Sequence, residues 1–213
     1  MTTTPDQTKL WNEKHEADEH AAHRGKAAPF ALLAEPFFPR GSRLLEIGCG
    51  VGSESQFFAD NGHDVLATDI SEVVLAQDRQ YYDGSSVSFD LLDVSQPLPF
   101  GEGTFQVLFS HLALHYYSDE STRAIFGELT RILKVGGILA FACKSTNDSK
   151  YGLGEELEKD MFLAQGKHVR HFFSIEYVQS LLGDDYEVLH LDEVIEQYGK
   201  DSSALVRCIA RKK

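Results

Sequence analysis

The chain is short of cysteine, of tryptophan, of positive charge and of long apolar runs. Its 213 residues include three cysteines and one tryptophan, and 20 Lys and Arg stand against 33 Asp and Glu, a formal net charge of −13. Cys49, Cys143 and Cys208 lie far apart with no Cys-x-x-Cys pair. That spacing argues against a disulfide framework or a thiolate zinc site and points to reduced, buried thiols of a cytoplasmic protein. The excess of acid argues against long nucleic acid as a partner, because phosphate binding draws on a basic face. No apolar run reaches the length that crosses a bilayer, so no membrane association is expected. Met1 to His15 lacks the basic start and apolar stretch of a secretory signal. With 42% apolar and 25% charged residues, the composition is that of one soluble α/β domain with a full core.

What is present is concentrated between residues 44 and 55. An apolar run, Leu44-Leu45-Glu46-Ile47, leads into Gly48-Cys49-Gly50-Val51-Gly52, and Ser53-Glu54-Ser55 opens a helix. Glycines at 48 and 50 let the backbone turn sharply and approach a ligand closely. Glu46 places an acid at the strand's end, where it repels a pyrophosphate and favours a cationic or amine-bearing ligand. A dinucleotide fingerprint, Gly-x-Gly-x-x-Gly, would need glycine where Ser53 stands. The pattern acid-x-Gly-x-Gly-x-Gly on Glu46, Gly48, Gly50 and Gly52 resembles motif I of the class I methyltransferases that use S-adenosylmethionine. A second apolar run, Asp64 to Thr68, ends at Asp69, roughly 20 residues past the first glycine, as expected of a ribose-binding carboxylate. The alternative for Asp69 is an acid favoured by a helix dipole, a task that Ser71 is placed to take as cap.

The resemblance is strong over residues 40–145 and implies more of the site. Gly48, Cys49, Gly50 and Ser110 would line the cofactor, with Ile70 flat against adenine. Asp93 would accept from the adenine amino group and the N–H of Val94 would meet a ring nitrogen. Trp11, alone in a polar segment, matches the N-terminal aromatic that closes over the cofactor in small-molecule members. The implied fold is α/β, a doubly wound, mostly parallel seven-stranded sheet with an antiparallel final strand. A helical cap at 1–39 would precede a domain at 40–213 carrying an insertion at about 145–173.

Periodicity predicts helices at 10–23, 27–35, 52–61, 71–81, 119–133 and 174–182. It predicts strands at 43–47, 63–68, 87–92, 105–110 and 138–143, the last after a Gly136-Gly137 turn. Two late strands, 185–191 and 204–210, are expected to form an antiparallel edge hairpin across a polar stretch, Asp192 to Ser203. Residues 1–9 read as disordered. His20 and His23 read as a solvated helix face, with no third ligand spaced to make a metal site.

On the acceptor side, Ser110 to Tyr117 leaves the carboxyl end of the fourth strand, the edge where open α/β sheets bind ligands. His111 and His115 are catalytic candidates, one helical turn apart if the segment coils; packing is the alternative. Tyr116, Arg170 and Phe172 are acceptor-binding candidates, the last two ending an insertion that is either a substrate wall or a packed loop. Glu54 and Phe58 to His63 resemble the thiopurine- and tellurite-methylating branch, whereas Arg170 to Ser174 resembles the tail of some RNA cytosine methyltransferases. No Asn/Asp-Pro-Pro-aromatic signature of amino-methylating DNA enzymes occurs. The expectation is therefore an S-adenosylmethionine-dependent enzyme, monomer or homodimer, that methylates a small molecule without a metal. RNA or protein methylation, an NAD-linked oxidoreductase and a non-catalytic binding fold are the alternatives.

Overall fold

The computed structural model describes residues 7–17, 23–164, 168–198 and 201–213. Five segments form the parallel part of a sheet: β1 (Arg43–Ile47), β2 (Asp64–Asp69), β3 (Ser88–Leu91), β4 (Phe105–His111) and β5 (Leu133–Lys144). Helices α3 (Ser53–Asp60), α4 (Glu72–Tyr81) and α5 (Asp119–Ile132) cross between them. After α6 (Ile175–Leu182), the hairpin of β9 (Tyr186–Tyr198) and β10 (Asp201–Lys212) completes the order β3-β2-β1-β4-β5-β10-β9. β10 runs antiparallel to both β5 and β9. Chain order reverses between β1 and β4, so a crevice opens at their carboxyl ends, where such sheets bind ligands.

Both sheet faces are covered, and the covering helices follow from their apolar spacing. On α5, Ile125, Phe126, Leu129 and Ile132 recur at helical spacing and are buried with Leu45, Leu108 and Phe141 of the sheet. Ser118 caps that helix, its hydroxyl accepting from the Ser121 N–H at 3.2 Å. On the opposite face, α2 (Pro29–Ala34) sends Phe30 against Phe109 at 5.4 Å between ring centroids, and Phe58 of α3 meets Phe109 edge-on at 4.8 Å. Full burial of side chains of this size contributes about 1.5–3 kcal/mol each. α1 (Gln7–Glu16) is held to α4 by polar contacts. The Ser71 hydroxyl donates to Asn12 Oδ1 at 2.7 Å, and Gln77 donates to the His15 carbonyl at 3.2 Å.

Several expected boundaries move. The Gly136-Gly137 turn is drawn into β5, whose ladder with β4 slips between Phe105 and Val107. The polar stretch 192–203 is mostly strand: alternating acids on β9 pair with β10, as when Arg207 binds Asp192 at 2.6 Å. Helix 27–35 does not stop at Pro36, because a 3-10 turn over Glu35–Phe37 continues it. The first helix ends at Glu16, and His23 sits in an exposed turn, while His20 and residues 1–6 lie outside the described residues. The insertion is a small antiparallel sheet of β6 (Glu155–Glu158), β7 (Met161–Ala164) and β8 (His168–His171). Among the described residues no helix is long and apolar enough to cross a membrane.

Candidate active site

The glycine turn after β1 is built to hold a carboxylate. The N–H groups of Gly48 and Cys49 both donate to the Thr68 carbonyl, at 2.8 and 2.9 Å, which folds the turn over the end of β2. Gly50 then donates to Asp69 Oδ2 at 3.0 Å while Ser71 donates to Oδ1 at 2.9 Å. Each oxygen keeps a lone pair for a ligand. Burial raises the proton affinity of Asp69, and the N–H bonds from Ser71 and Gly50 oppose it. Ser71 also caps α4, accepting from Val74, so the cap and the candidate ribose acceptor are separate residues.

Asp69 faces a cavity of about 320 Å³, a size that suits a small-molecule site. Ile70, Leu92 and Val94 give it an apolar slot beside the carboxylate, and Trp11 closes one side. A Cβ on Gly50 would meet nothing within 4 Å, so the backbone there lies open to a ligand. Carboxylate, apolar slot and open glycine rim fit the ribose and adenine of S-adenosylmethionine.

A second cavity of about 410 Å³ meets the first at Gly48, Gly50, His111 and Leu112. Lys26, Glu46, Cys49 and Glu54 line it. Here Glu46 departs from the expectation of a fixed negative charge. It is 2% exposed and bound by the Ser55 hydroxyl, and burial with the charge of Glu54 pushes its carboxyl well above the usual carboxylate range. The ionised acid is Glu54. Burial opposes its charge, but His111, with Nδ1 at 3.7 Å, and the Ala28 N–H outweigh burial and hold it below the ordinary value. Burial likewise pushes the Cys49 thiol up, with Asp69 and Glu46 adding to the effect.

Two cofactor-side candidates are not brought to the cavities. Ser110 is buried and its hydroxyl donates to the Ile47 carbonyl at 3.0 Å, tying β4 to β1. Asp93 stands outside the lining, its Oδ1 accepting from the Ser95 N–H at 3.0 Å and the Ser95 hydroxyl at 2.6 Å; Val94, next to it, does line the first cavity.

The acceptor-side candidates converge from two elements. His111, His115 and Tyr116 from the loop after β4, and Arg170 from β8, all line the first cavity. The loop does not coil: Leu112 takes φ +61°, so the two histidines are set by a turn instead of helical spacing. His115 is fully buried with both ring nitrogens unpartnered, and burial, with Arg170 and Lys144 nearby, pulls its pKa well below the ordinary value. Tyr116 lies edge-on to Trp11 at 5.1 Å and beneath the Arg170 guanidinium at 6.0 Å. Phe172 is elsewhere, packed on Tyr151 and Phe162 beside a third cavity of about 390 Å³. Lys144 and Glu54 had no acceptor or cofactor role in the sequence reading. Lys144 ends β5 at the ligand-binding edge, and Glu54 stands in the first turn after the glycines, so position was the available signal.

Residues 45–141 match the family described as Methyltransferase domain. A malonyl-[acyl-carrier protein] O-methyltransferase of Enterobacter lignolyticus is 30% identical over 175 residues, 76% of this chain and 66% of that protein. A second such enzyme, from Hamiltonella defensa, is 26% identical over 76% of this chain and 60% of its own length, so the chain spans somewhat less than two thirds of these relatives. Among solved structures, the Burkholderia thailandensis 1,6-didemethyltoxoflavin-N1-methyltransferase with bound S-adenosylhomocysteine superposes with a TM-score of 0.75 at 19% identity, over 94% of this chain and 84% of that one. A methyltransferase from Methanosarcina mazei gives 0.75 at 21%, over 87% and 98%. Sheet order, glycine turn and family match agree: residues 45–141 carry a methyltransferase domain, on the fold of the class I S-adenosylmethionine-dependent methyltransferases.

Proposed function

We propose that this protein methylates a small-molecule acceptor, with S-adenosylmethionine as donor and in-line displacement as the reaction. The observation that carries the reading is one shared cavity. Asp69, Ile70 and Gly50, the cofactor-side candidates, line it together with His115, Tyr116, Lys144 and Arg170. The cofactor, when bound, supplies a methyl group already activated on a sulfonium. The protein's residues then have three tasks. Asp69 would accept the ribose hydroxyls, Ile70 and Val94 would sandwich the base, and Glu54 would face the amino end from the second cavity. Trp11 and Tyr116 cover the cavity and exclude water.

Alignment supplies much of the rate in such a transfer, since well-oriented partners reach effective molarities of about 10⁵–10⁸ M. A nucleophile with a free lone pair needs no base. A hydroxyl acceptor would, and His111, adjoining both cavities and paired with Glu54, is placed for that. Calorimetry tests the reading: S-adenosylhomocysteine is expected to bind saturably and NAD to give no heat. Binding of NAD alone would overturn it. A labelled-cofactor screen over small-molecule acceptors then identifies the substrate.

A further inference from the structure

The charge on the acceptor wall runs against the charge of the chain. Net charge is −13, yet among the described residues Asp69 is the one carboxylate that lines the first cavity. The same cavity is also lined by His115, Lys144 and Arg170. Lys144 is compensated, its Nζ bound to Asp148 Oδ2 at 3.0 Å and to the Ser203 hydroxyl. Arg170 is not: among the described residues no carboxylate pairs with it, and its Nε is buried without a hydrogen-bond partner. His115, fully buried, has two further orphaned nitrogens on the same cavity. Unmade hydrogen bonds to buried polar groups are costly, and so many at one place mark where a ligand completes them.

Arg170 also lines the third cavity, whose other walls include Leu153, Phe162 and Phe172 together with Lys150 and His168. Arg170 therefore lines both cavities, the cofactor cavity and a chamber where Leu153, Phe162 and Phe172 give an apolar surface. We propose that Arg170 and His115 bind the carboxylate of the methyl acceptor, and that the acceptor is an organic acid whose apolar body occupies the third cavity. The planar guanidinium fork suits a carboxylate better than a point charge would. A neutral imidazole adds one N–H donor without a competing cation, which explains why a deeply buried histidine and an arginine share the wall. This inference rests on the methyltransferase reading for the identity of the acceptor, and not for the existence of the anion site.

The test titrates hexanoate, hexanamide, acetate and selenite into the S-adenosylhomocysteine complex. Heat and the His115 imidazole NMR signals, assigned by their loss in His115→Gln, are followed. Hexanoate is expected to bind saturably, at least about tenfold more tightly than hexanamide, and to shift the His115 signals. Acetate is expected to bind more weakly than hexanoate, because it leaves the apolar surface of Leu153, Phe162 and Phe172 uncovered. Arg170→Met should remove hexanoate binding and Arg170→Lys should keep part of it, both with S-adenosylhomocysteine affinity unchanged. Equal binding of acid and amide, binding of selenite without hexanoate, no shift at His115, or full hexanoate affinity in folded Arg170→Met would each overturn the proposal. The acid titration is repeated without cofactor, so a failure of cofactor binding is seen separately from a failure of the anion site.

Discussion

Gly48 and Ala113 interlock: a Cβ built on Gly48 would lie 2.2 Å from the Cβ of Ala113. The glycine turn after β1 and the loop after β4 thus share one space, and the loop's position over the cofactor cavity depends on a missing side chain. Gly48 also has φ +72°, a conformation that L residues adopt at a cost. Gly48→Ala should destabilise the fold by about 2–4 kcal/mol from overpacking and backbone strain, lowering Tm by roughly 5–15 °C. It should also weaken S-adenosylhomocysteine more than tenfold, because Ala113 must move into the cavity. Thermal melting and calorimetry measure both. Native melting with native affinity would show that the two loops separate freely.

Asp69 has two duties, bracing the turn through Gly50 and Ser71 and facing the cavity with its remaining lone pairs. Asp69→Asn swaps one acceptor oxygen for a donor against N–H groups, so the turn loosens and the ribose loses a partner. S-adenosylhomocysteine affinity should fall by more than about 1.4 kcal/mol, in the range of a charged hydrogen bond. The 2′-deoxy analogue separates the duties. Wild type should lose affinity when the hydroxyl is removed and Asp69→Asn should not. An equal loss in both proteins would leave Asp69 a structural brace only.

The sequence made the cofactor half of this molecule readable and the acceptor half only partly so. Motif I is local: three glycines, a strand before them and a helix after them occupy residues 43–60, and short-range geometry fixes their shape. Asp69, Ile70 and Val94 follow from strand ends in the same way. Asp93 and Ser110 sit at the expected chain positions, but Asp93 Oδ1 accepts from Ser95 and the Ser110 hydroxyl donates to the Ile47 carbonyl. Such local competition leaves no trace in spacing. The burial of Glu46 is likewise tertiary, since Ser55 and Glu54 reach it only after α3 packs. Lys144 and Arg170 are 26 positions apart and meet because β8 folds back, with the His171 N–H bonded to the His115 carbonyl at 2.9 Å. The small sheet of β6, β7 and β8 leaves little periodicity in the sequence, because its strands have only four residues each.

Trp11 reports on closure of the cavity. Its ring meets Tyr116 edge-on at 5.1 Å, and Lys14 Nζ lies 5.5 Å from its centroid. As the chain's only tryptophan it gives an unmixed fluorescence signal, expected to shift saturably with S-adenosylhomocysteine. Trp11→Ala should weaken that ligand about two- to tenfold, the equivalent of one aromatic contact. Tm should hardly change, because α1 keeps its Asn12–Ser71 bond to α4. A silent fluorescence titration together with unchanged affinity would remove Trp11 from the lid.

His115 should leave its mark on the pH dependence of stability. Burial, with Arg170 and Lys144 beside it, holds its folded pKa well below the ordinary value near 6.5. Above about pH 7 the imidazole is neutral in both folded and unfolded chains and contributes no slope. As pH falls through about 6.5 the unfolded chain binds a proton that the folded one refuses. Folding stability then drops by up to about 1.4 kcal/mol per pH unit until the folded pKa is reached. Asp69 and Glu46, whose folded pKa values are raised, act in the opposite sense because the native state takes their protons first. Their contribution is common to wild type and variant and cancels in the difference. The stability of His115→Gln relative to wild type should therefore be flat above pH 7 and rise steadily between pH 6.5 and 5. Urea unfolding at a series of pH values measures it. Parallel curves across that window would mean that His115 titrates in the folded protein as it does in the unfolded chain, and that its burial does not keep it neutral.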